Sequence, residues 1–288
     1  MAKTPKKKQN QDPETTGHEW DGIEEFNNPL PRWWLWTFYA TIIWGVGYSI
    51  AYPAWPMISK ATPGLLGYST REEVAQEMAR VESANAENMS ALAEVDLTAL
   101  AEHPEIQDYA EKAGSSVFLT YCAQCHGSGA AGAKGYPNLL DNEWLWGGDI
   151  EAIYTTVAHG IRNDVDPEAR YSQMPAFGEF LEDEEIAAAA NYVLSLSGEP
   201  DDPSLVDAGE TVFMDNCAVC HMEDGTGDRT QGAPNLADAI WLFGGDYDTV
   251  VETITYSRFG VMPPWSNRLT DAEVKAVSAY VHQLGGGE

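Results

Sequence analysis

Two five-residue stretches hold the densest chemistry in the chain. They read Cys122-Ala123-Gln124-Cys125-His126 and Cys217-Ala218-Val219-Cys220-His221, and together they use all four cysteines. Two thiols one helical turn apart suit thioether bonds to the two vinyl groups of a haem. The imidazole that follows then lies under the iron as its proximal ligand. A zinc site drawn from both pairs would use pairs spaced far more closely and would leave a histidine after each pair unexplained. A thioredoxin-like thiol pair needs a βαβ setting, and neither motif is flanked by strand alternation. With no cysteine left over from the two short spacings, a disulfide scaffold does not fit either.

An iron held by histidine on one face takes a histidine or methionine on the other. Each motif is followed, well downstream, by a methionine before proline: Met174-Pro175 and Met262-Pro263-Pro264. A loop methionine placed there is expected to swing over the open haem face, with the proline stiffening the loop. On this reading Met174 serves the first haem and Met262 the second. His159 competes with Met174, whereas Tyr256 stands where a matching histidine would fall in the second copy. Pro137 and Pro234 lie where a backbone carbonyl accepts the proximal ring N–H. Arg162 and Arg258 are candidates to face haem propionates. His18, His103 and His282 read as solvated, and Met214 and Met222 flank the second motif too closely to reach its far face. The site residues are thus Cys122, Cys125, Cys217 and Cys220 for attachment, and His126, Met174, His221 and Met262 for the metal, with no catalytic residue.

The elements that must carry these residues occur twice. Ala113-Gly114, Phe118 and the first motif repeat as Ala208-Gly209, Phe213 and the second. Pro137-Asn138-Leu139 returns as Pro234-Asn235-Leu236, and Trp144-Leu-Trp-Gly-Gly-Asp149 as Trp241-Leu-Phe-Gly-Gly-Asp246. Each copy ends in an apolar three-and-four pattern, Leu181 to Leu196 and Leu269 to Leu284, predicting a helix with one buried face. Thr270 with Glu273 predicts a capping box. Tyr192 and Tyr280 on these helices are expected to pack on the first helix of each copy, near Gly114 and Gly209. Ser197 to Pro203 is a linker by composition.

Upstream, residues 1 to 31 are polar, with Lys3, Lys6, Lys7 and Lys8 followed by acids, and read as a mostly disordered tail. Trp33 to Trp55 carries no charge. At ~1.5 Å per residue a helix of that length reaches roughly 34 Å, and aromatics sit at both ends, so a membrane-spanning helix is expected over 32–56. Residues 57–108, rich in Ala, Glu and Leu from Thr70 to Leu100, predict a helical spacer with faces too polar for a core of its own. The expected domains are therefore 1–31, 32–56, 57–108, 109–199 and 200–288.

The balance of 16 basic to 45 acidic residues, a formal charge of −29, argues against a nucleic-acid partner and fits a basic protein partner steered in by the field.

The duplicated CxxCH copies look like the class I cytochrome c fold twice over. The segment Trp20 to Tyr48, WDGIEEFNNPLPRWWLWTFYATIIWGVGY, followed by two such copies with MPAFG and MPPW loops, resembles the dihaem subunit (subunit III) of cbb3-type cytochrome c oxidases. The resemblance implies a mainly α protein with one N-terminal transmembrane helix and two tandem class I cytochrome c-like domains. It implies two covalently bound haem c groups and a bacterial inner-membrane location, with a cytoplasmic N-terminus and periplasmic haem domains. The implied role is to take electrons from a cytochrome c donor and pass them, through a monohaem subunit, to the catalytic subunit where oxygen is reduced. Partners are then those subunits, the donor and the lipid bilayer, with no independent active site in this chain. The competing readings are a free-standing membrane-tethered dihaem shuttle and a dihaem peroxidase. A peroxidase needs one haem with an open face, and the two Met-Pro loops speak against it.

Overall fold

The computed structural model describes residues 13–288, so the lysine cluster Lys3, Lys6, Lys7 and Lys8 lies outside the described residues. The chain forms two compact units, Met1–Ser83 and Ala84–Glu288.

In the first unit the expected tail is partly ordered. Strands β1 (Thr15–Trp20) and β2 (Ile23–Phe26) form an antiparallel hairpin with Trp20 opposite Ile23. Asp21 and Gly22 both take positive φ, 49° and 81°, the geometry that two-residue hairpin loops favour and that Asp-Gly supplies at low cost. Helix α1 covers Arg32–Ala51, and Pro31 stands just before its first turn. Its last carbonyls are met by the returning chain: Leu65 N–H donates to Ile50 at 2.9 Å and Leu66 N–H to Ala51 at 3.0 Å. Gly64, at φ +70°, lets that chain pass where a Cβ would strike the Tyr52 backbone.

The expected membrane-spanning helix is corrected here. No helix among the described residues is long and apolar enough to cross a membrane. Helix α1 stops at Ala51, since Tyr52, before Pro53, is extended. Only eight of its 20 residues are Leu, Ile, Val, Phe or Ala; Trp, Tyr, Thr, Ser, Gly and Arg32 make up the rest. Helix α1 buries none of its residues, and Trp33, Ile43 and Trp44 are at least 70% exposed.

Helix α2 (Thr70–Glu94) runs from the first unit into the second. Its end is more than a spacer. Leu92, Leu97 and Leu100 are buried with Ala110, Ala272 and Ala276 in one cluster. Lys275 caps the end of α2, its Nζ donating to the carbonyls of Ala93 at 2.6 Å and Val95 at 3.0 Å.

Nine elements then carry the site: α3 (Pro104–Val117), a π-turn over Phe118–Cys122, α4 (Ala123–His126), α5 (Ile150–His159), α6 (Asp183–Ser197), α7 (Val206–Asn216), α8 (Ala218–His221), α9 (Tyr247–Tyr256) and α10 (Asp271–His282). The repeated Gly-Gly-Asp is a helix start. Asp149 accepts from Ala152 N at 2.8 Å and Asp246 from Thr249 N at 3.0 Å. The capping box of Thr270 and Glu273 is present at α10, and Glu182 with Glu185 forms its counterpart at α6.

The packing of these helices is crossed. Helix α3 of the first copy packs on α10 of the second, and α7 of the second copy packs on α6 of the first. At each crossing a glycine is obligatory. A Cβ on Gly114 would run into the Ala276 carbonyl and Tyr280, and one on Gly209 into the Ala188 carbonyl and Tyr192. The tyrosines thus do meet the first helices, but each meets that of the other copy. Two cores result. One joins Phe118, Ile153 and Val157 to Leu269, Val274 and Val277; the other joins Ile186, Ala189 and Val193 to Phe213, Val250 and Ile254.

Candidate functional site

The second motif lies at the α7–α8 junction. Residue Cys217 closes α7, and one turn brings Cys220 and His221 to the same side. Met222 ends α8 at φ +65°, where Gly127 ends α4 in the first copy at φ +77°. His221 is buried, 9% exposed, and its Nδ1 lies 3.0 Å from the Pro234 carbonyl. His126 makes the same bond, Nδ1 to Pro137 O at 3.0 Å. An Nδ1–H donating to a carbonyl fixes the ring's rotation and tautomer and leaves Nε2 as the free donor atom for a metal. Burial pulls the pKa of both rings down, and the carbonyl bonds offset part of that, so the neutral, ligating form is favoured.

All four cysteines are free. Burial pushes the Cys122 and Cys217 thiols up to about 11.

The second motif opens on a cavity of about 790 Å³ lined by Cys217, Cys220, His221, Phe213, Trp241 and, from the first copy, Met174. This volume, with apolar walls, two thiols and a histidine aimed by its carbonyl, fits a haem. Around the first motif, Cys122, Ala123, Leu139, Trp144 and Met262 pack against the core of Phe118 and Val157. The structure therefore brings Met174 together with the second motif and Met262 together with the first.

Helix α5 ends at His159, and Nδ1 of that residue is engaged by Asp166 at 3.0 Å, with Glu168 at 3.5 Å. Met214 and Met222 are partly exposed beside the second motif, and His282 bonds the Glu288 carbonyl at 2.9 Å.

Arg258 lines the cavity, with its guanidinium 4.9 Å from the Phe243 ring centre and Nη2 donating to Thr249 O at 2.7 Å. Its structural counterpart is Arg170, which sequence reading missed. Arg170 lies 5.5 Å from the Trp146 ring and donates to Ala152 O at 3.2 Å, and Trp146 and Ala152 are the repeat equivalents of Phe243 and Thr249. Among the described residues Arg170 Nε and Trp146 Nε1 are buried without a partner. Arg162 instead donates to the carbonyls of Gly260 at 2.8 Å and Ser172 at 2.9 Å. The loop 160–173 is nine residues longer than its counterpart 257–261, and Arg162 lies nearer the position that aligns with Arg258, so sequence offset pointed to Arg162 rather than Arg170.

Three family descriptions match the chain. The N-terminal domain of cytochrome oxidase-cbb3, FixP, matches residues 12–59, cytochrome c residues 111–197, and cytochrome C oxidase, cbb3-type, subunit III residues 204–281. The chain is 59% identical over 290 residues to the cbb3-type cytochrome c oxidase subunit CcoP of Cereibacter sphaeroides, covering 100% of both chains. It is 54% identical to subunit FixP of Sinorhizobium medicae, over 96% of this chain and 95% of that one. It is also 54% identical to CcoP of Rhodobacter capsulatus, over 100% of both.

Proposed function

The chain belongs to the family of cbb3-type cytochrome c oxidase subunits that includes CcoP and FixP, and on that premise we propose how its residues divide the work of passing electrons to the oxidase. Its function is electron transfer, as the cytochrome c subunit of the complex. Haem c, when bound, supplies a one-electron carrier at each iron.

Two haems would be held, one through Cys122 and Cys125 and one through Cys217 and Cys220. His126 and His221 ligate through Nε2 while Pro137 and Pro234 hold the rings from behind. Met174 and Met262 would each offer a thioether to one of these groups. A thioether favours ferrous iron relative to imidazole, so it raises the potential toward that of a moderately high-potential donor. With haem c bound, the chain would hand electrons on toward the oxidase's other subunits. Arg258, half-buried against the Phe243 ring in the cavity wall, would place positive charge beside a haem bound there, and Arg170 is its counterpart against Trp146.

Residues 109–199 and 200–288 contribute one attachment motif each. The unit that bears them stands on the periplasmic side of the bacterial inner membrane, because haem c is attached outside the cytoplasm. The exposed aromatic residues of α1 are covered by the catalytic and monohaem subunits of the oxidase. A basic cytochrome c is the donor that the −29 charge attracts.

The observation that carries this reading is the matched pair of buried motif histidines, each aimed by a proline carbonyl. Haem staining after denaturing electrophoresis should show a band at the full chain mass, and a pyridine haemochrome assay should count two haems per chain. The Cys122→Ala/Cys125→Ala variant should lose half the stain. A count other than two sinks the dihaem assignment.

A further inference from the structure

We propose that the axial methionines cross between the two copies: Met262 ligates the iron that His126 holds, and Met174 the iron that His221 holds. The inference rests on the haem reading above and goes beyond it, since sequence order pairs each methionine with the motif that precedes it.

Three independent observations carry it. The first is the cavity at Cys217, Cys220 and His221, which Met174 lines and Met262 does not. The second is packing: Met262 lies against the core that Cys122 joins, and Met174 against the core that Cys217 joins. The third is the way each methionine loop is fastened. Met262 exchanges two backbone bonds with Ile161, just after α5, at 2.9 and 3.0 Å, and Trp265 N–H donates to Val157 O at 3.1 Å. Gly160 leaves no room for a Cβ beside the Pro263 backbone. Reciprocally, the Ser257 hydroxyl, just after α9, donates to the Met174 carbonyl. Gly178 packs on Thr255 with no space for a side chain.

Each methionine loop is thus tied to the helix behind the other copy's motif. The crossings of α3 with α10 and α7 with α6 put the same exchange in the helices. For Met174 to reach the first haem, its loop would have to release α9 and the core around Phe213. Each haem site therefore takes its proximal half from one copy and its distal half from the other, and the two redox centres share one folding unit.

An optical tag in the full-length dihaem chain separates the two irons. Cys220→Ser leaves the second haem with a single thioether and one conjugated vinyl group, which shifts its α-band to the red while both haems remain bound. In that background Met174→His should lower the potential of the tagged haem about a thousandfold in its oxidised-to-reduced ratio, near 180 mV at 59 mV per tenfold for one electron. The untagged haem should not move. Met262→His should lower only the untagged haem. Cys125→Ser supplies the reciprocal tag, and there the pattern should invert. It also gives the reading if the first tagged chain does not mature. The proposal is overturned if Met174→His moves the haem at Cys122, or if neither methionine variant moves a potential. A parent chain that carries two covalent haems but shows the uncrossed pattern would overturn the crossing and leave the functional reading standing. A parent without covalent haem would sink both.

Discussion

At the scale of single residues the site contains a pair whose protonation is set by burial. Residue Glu143 has its pKa raised to about 7, chiefly by burial and then by the neighbouring Asp238 carboxylate, with Arg229 offsetting part. Asp238 Oδ2 is buried and receives no donor, while its Oδ1 accepts from Ile240 N at 2.8 Å. A proton on Glu143 supplies the missing donor. Because the folded pKa lies above the unfolded value of 4.5, the stability this proton contributes is complete below about 4.5 and is lost as pH rises through about 7. Glu143→Gln keeps a donor at every pH. It should raise the thermal midpoint by about 2–4 °C at pH 8, where a partly solvated pair is worth no more than ~1 kcal/mol, and change little at pH 5. Equal gains at both pH values would mean the proton is not shared. The carbonyls behind the motif histidines and the Thr270 cap were legible as residues. Arg170 and the Glu143–Asp238 pair were not, because their partners lie far away along the chain.

At the scale of elements, what could be read was the helices, and what could not was which helix each one meets. Gly114 and Gly209 announce close crossings, and Tyr280 and Tyr192 announce the rings that fill them. Periodicity marks a buried face without saying what buries it, and two copies of nearly the same face make the in-copy and crossed pairings equally consistent with sequence. The end of the 57–108 segment takes part in a core that its own sequence does not announce. Leu92, Leu97 and Leu100 are too few to build a core, but they need only complete one that α3 and α10 supply. The 32–56 segment failed on chemistry: tryptophan and tyrosine fill space like apolar residues yet contribute little to crossing a bilayer. The crossings give a sharp test. Gly114→Val sets a branched side chain against the Ala276 backbone, which cannot retreat as a side chain would. The cost should reach or exceed the about 1–3 kcal/mol of ordinary overpacking. Thermal unfolding followed at the haem should shift down accordingly, and the larger neighbour of the crossing can be relieved: adding Tyr280→Ala should not restore the loss, because the carbonyl remains. Full rescue by that second change would place the clash on the ring instead.

At the scale of the whole molecule the dominant quantity is charge. From Met57 onward the chain holds 11 basic and 39 acidic residues, so the acidity belongs to the part that bears the haem motifs. Few of the cations are free to soften it near the sites, since Arg162, Arg170, Arg258 and Lys275 are turned inward onto carbonyls. A field of one sign raises the encounter rate with an oppositely charged partner and depends on ionic strength, because the Debye length falls from about 30 Å at 0.01 M to about 10 Å at 0.1 M. The bimolecular rate of reduction by a basic cytochrome c should therefore drop steeply across that range, and reduction by an acidic or neutral donor of similar potential should not. Electron transfer between the two proposed haem sites of one chain involves no encounter and should be independent of salt. The two can be separated by stopped-flow mixing for the first and flash photoreduction for the second. A salt-independent bimolecular rate would assign the acidity to solubility alone. A salt-dependent intramolecular rate would show that the two sites move relative to each other, against a unit in which the copies share both cores.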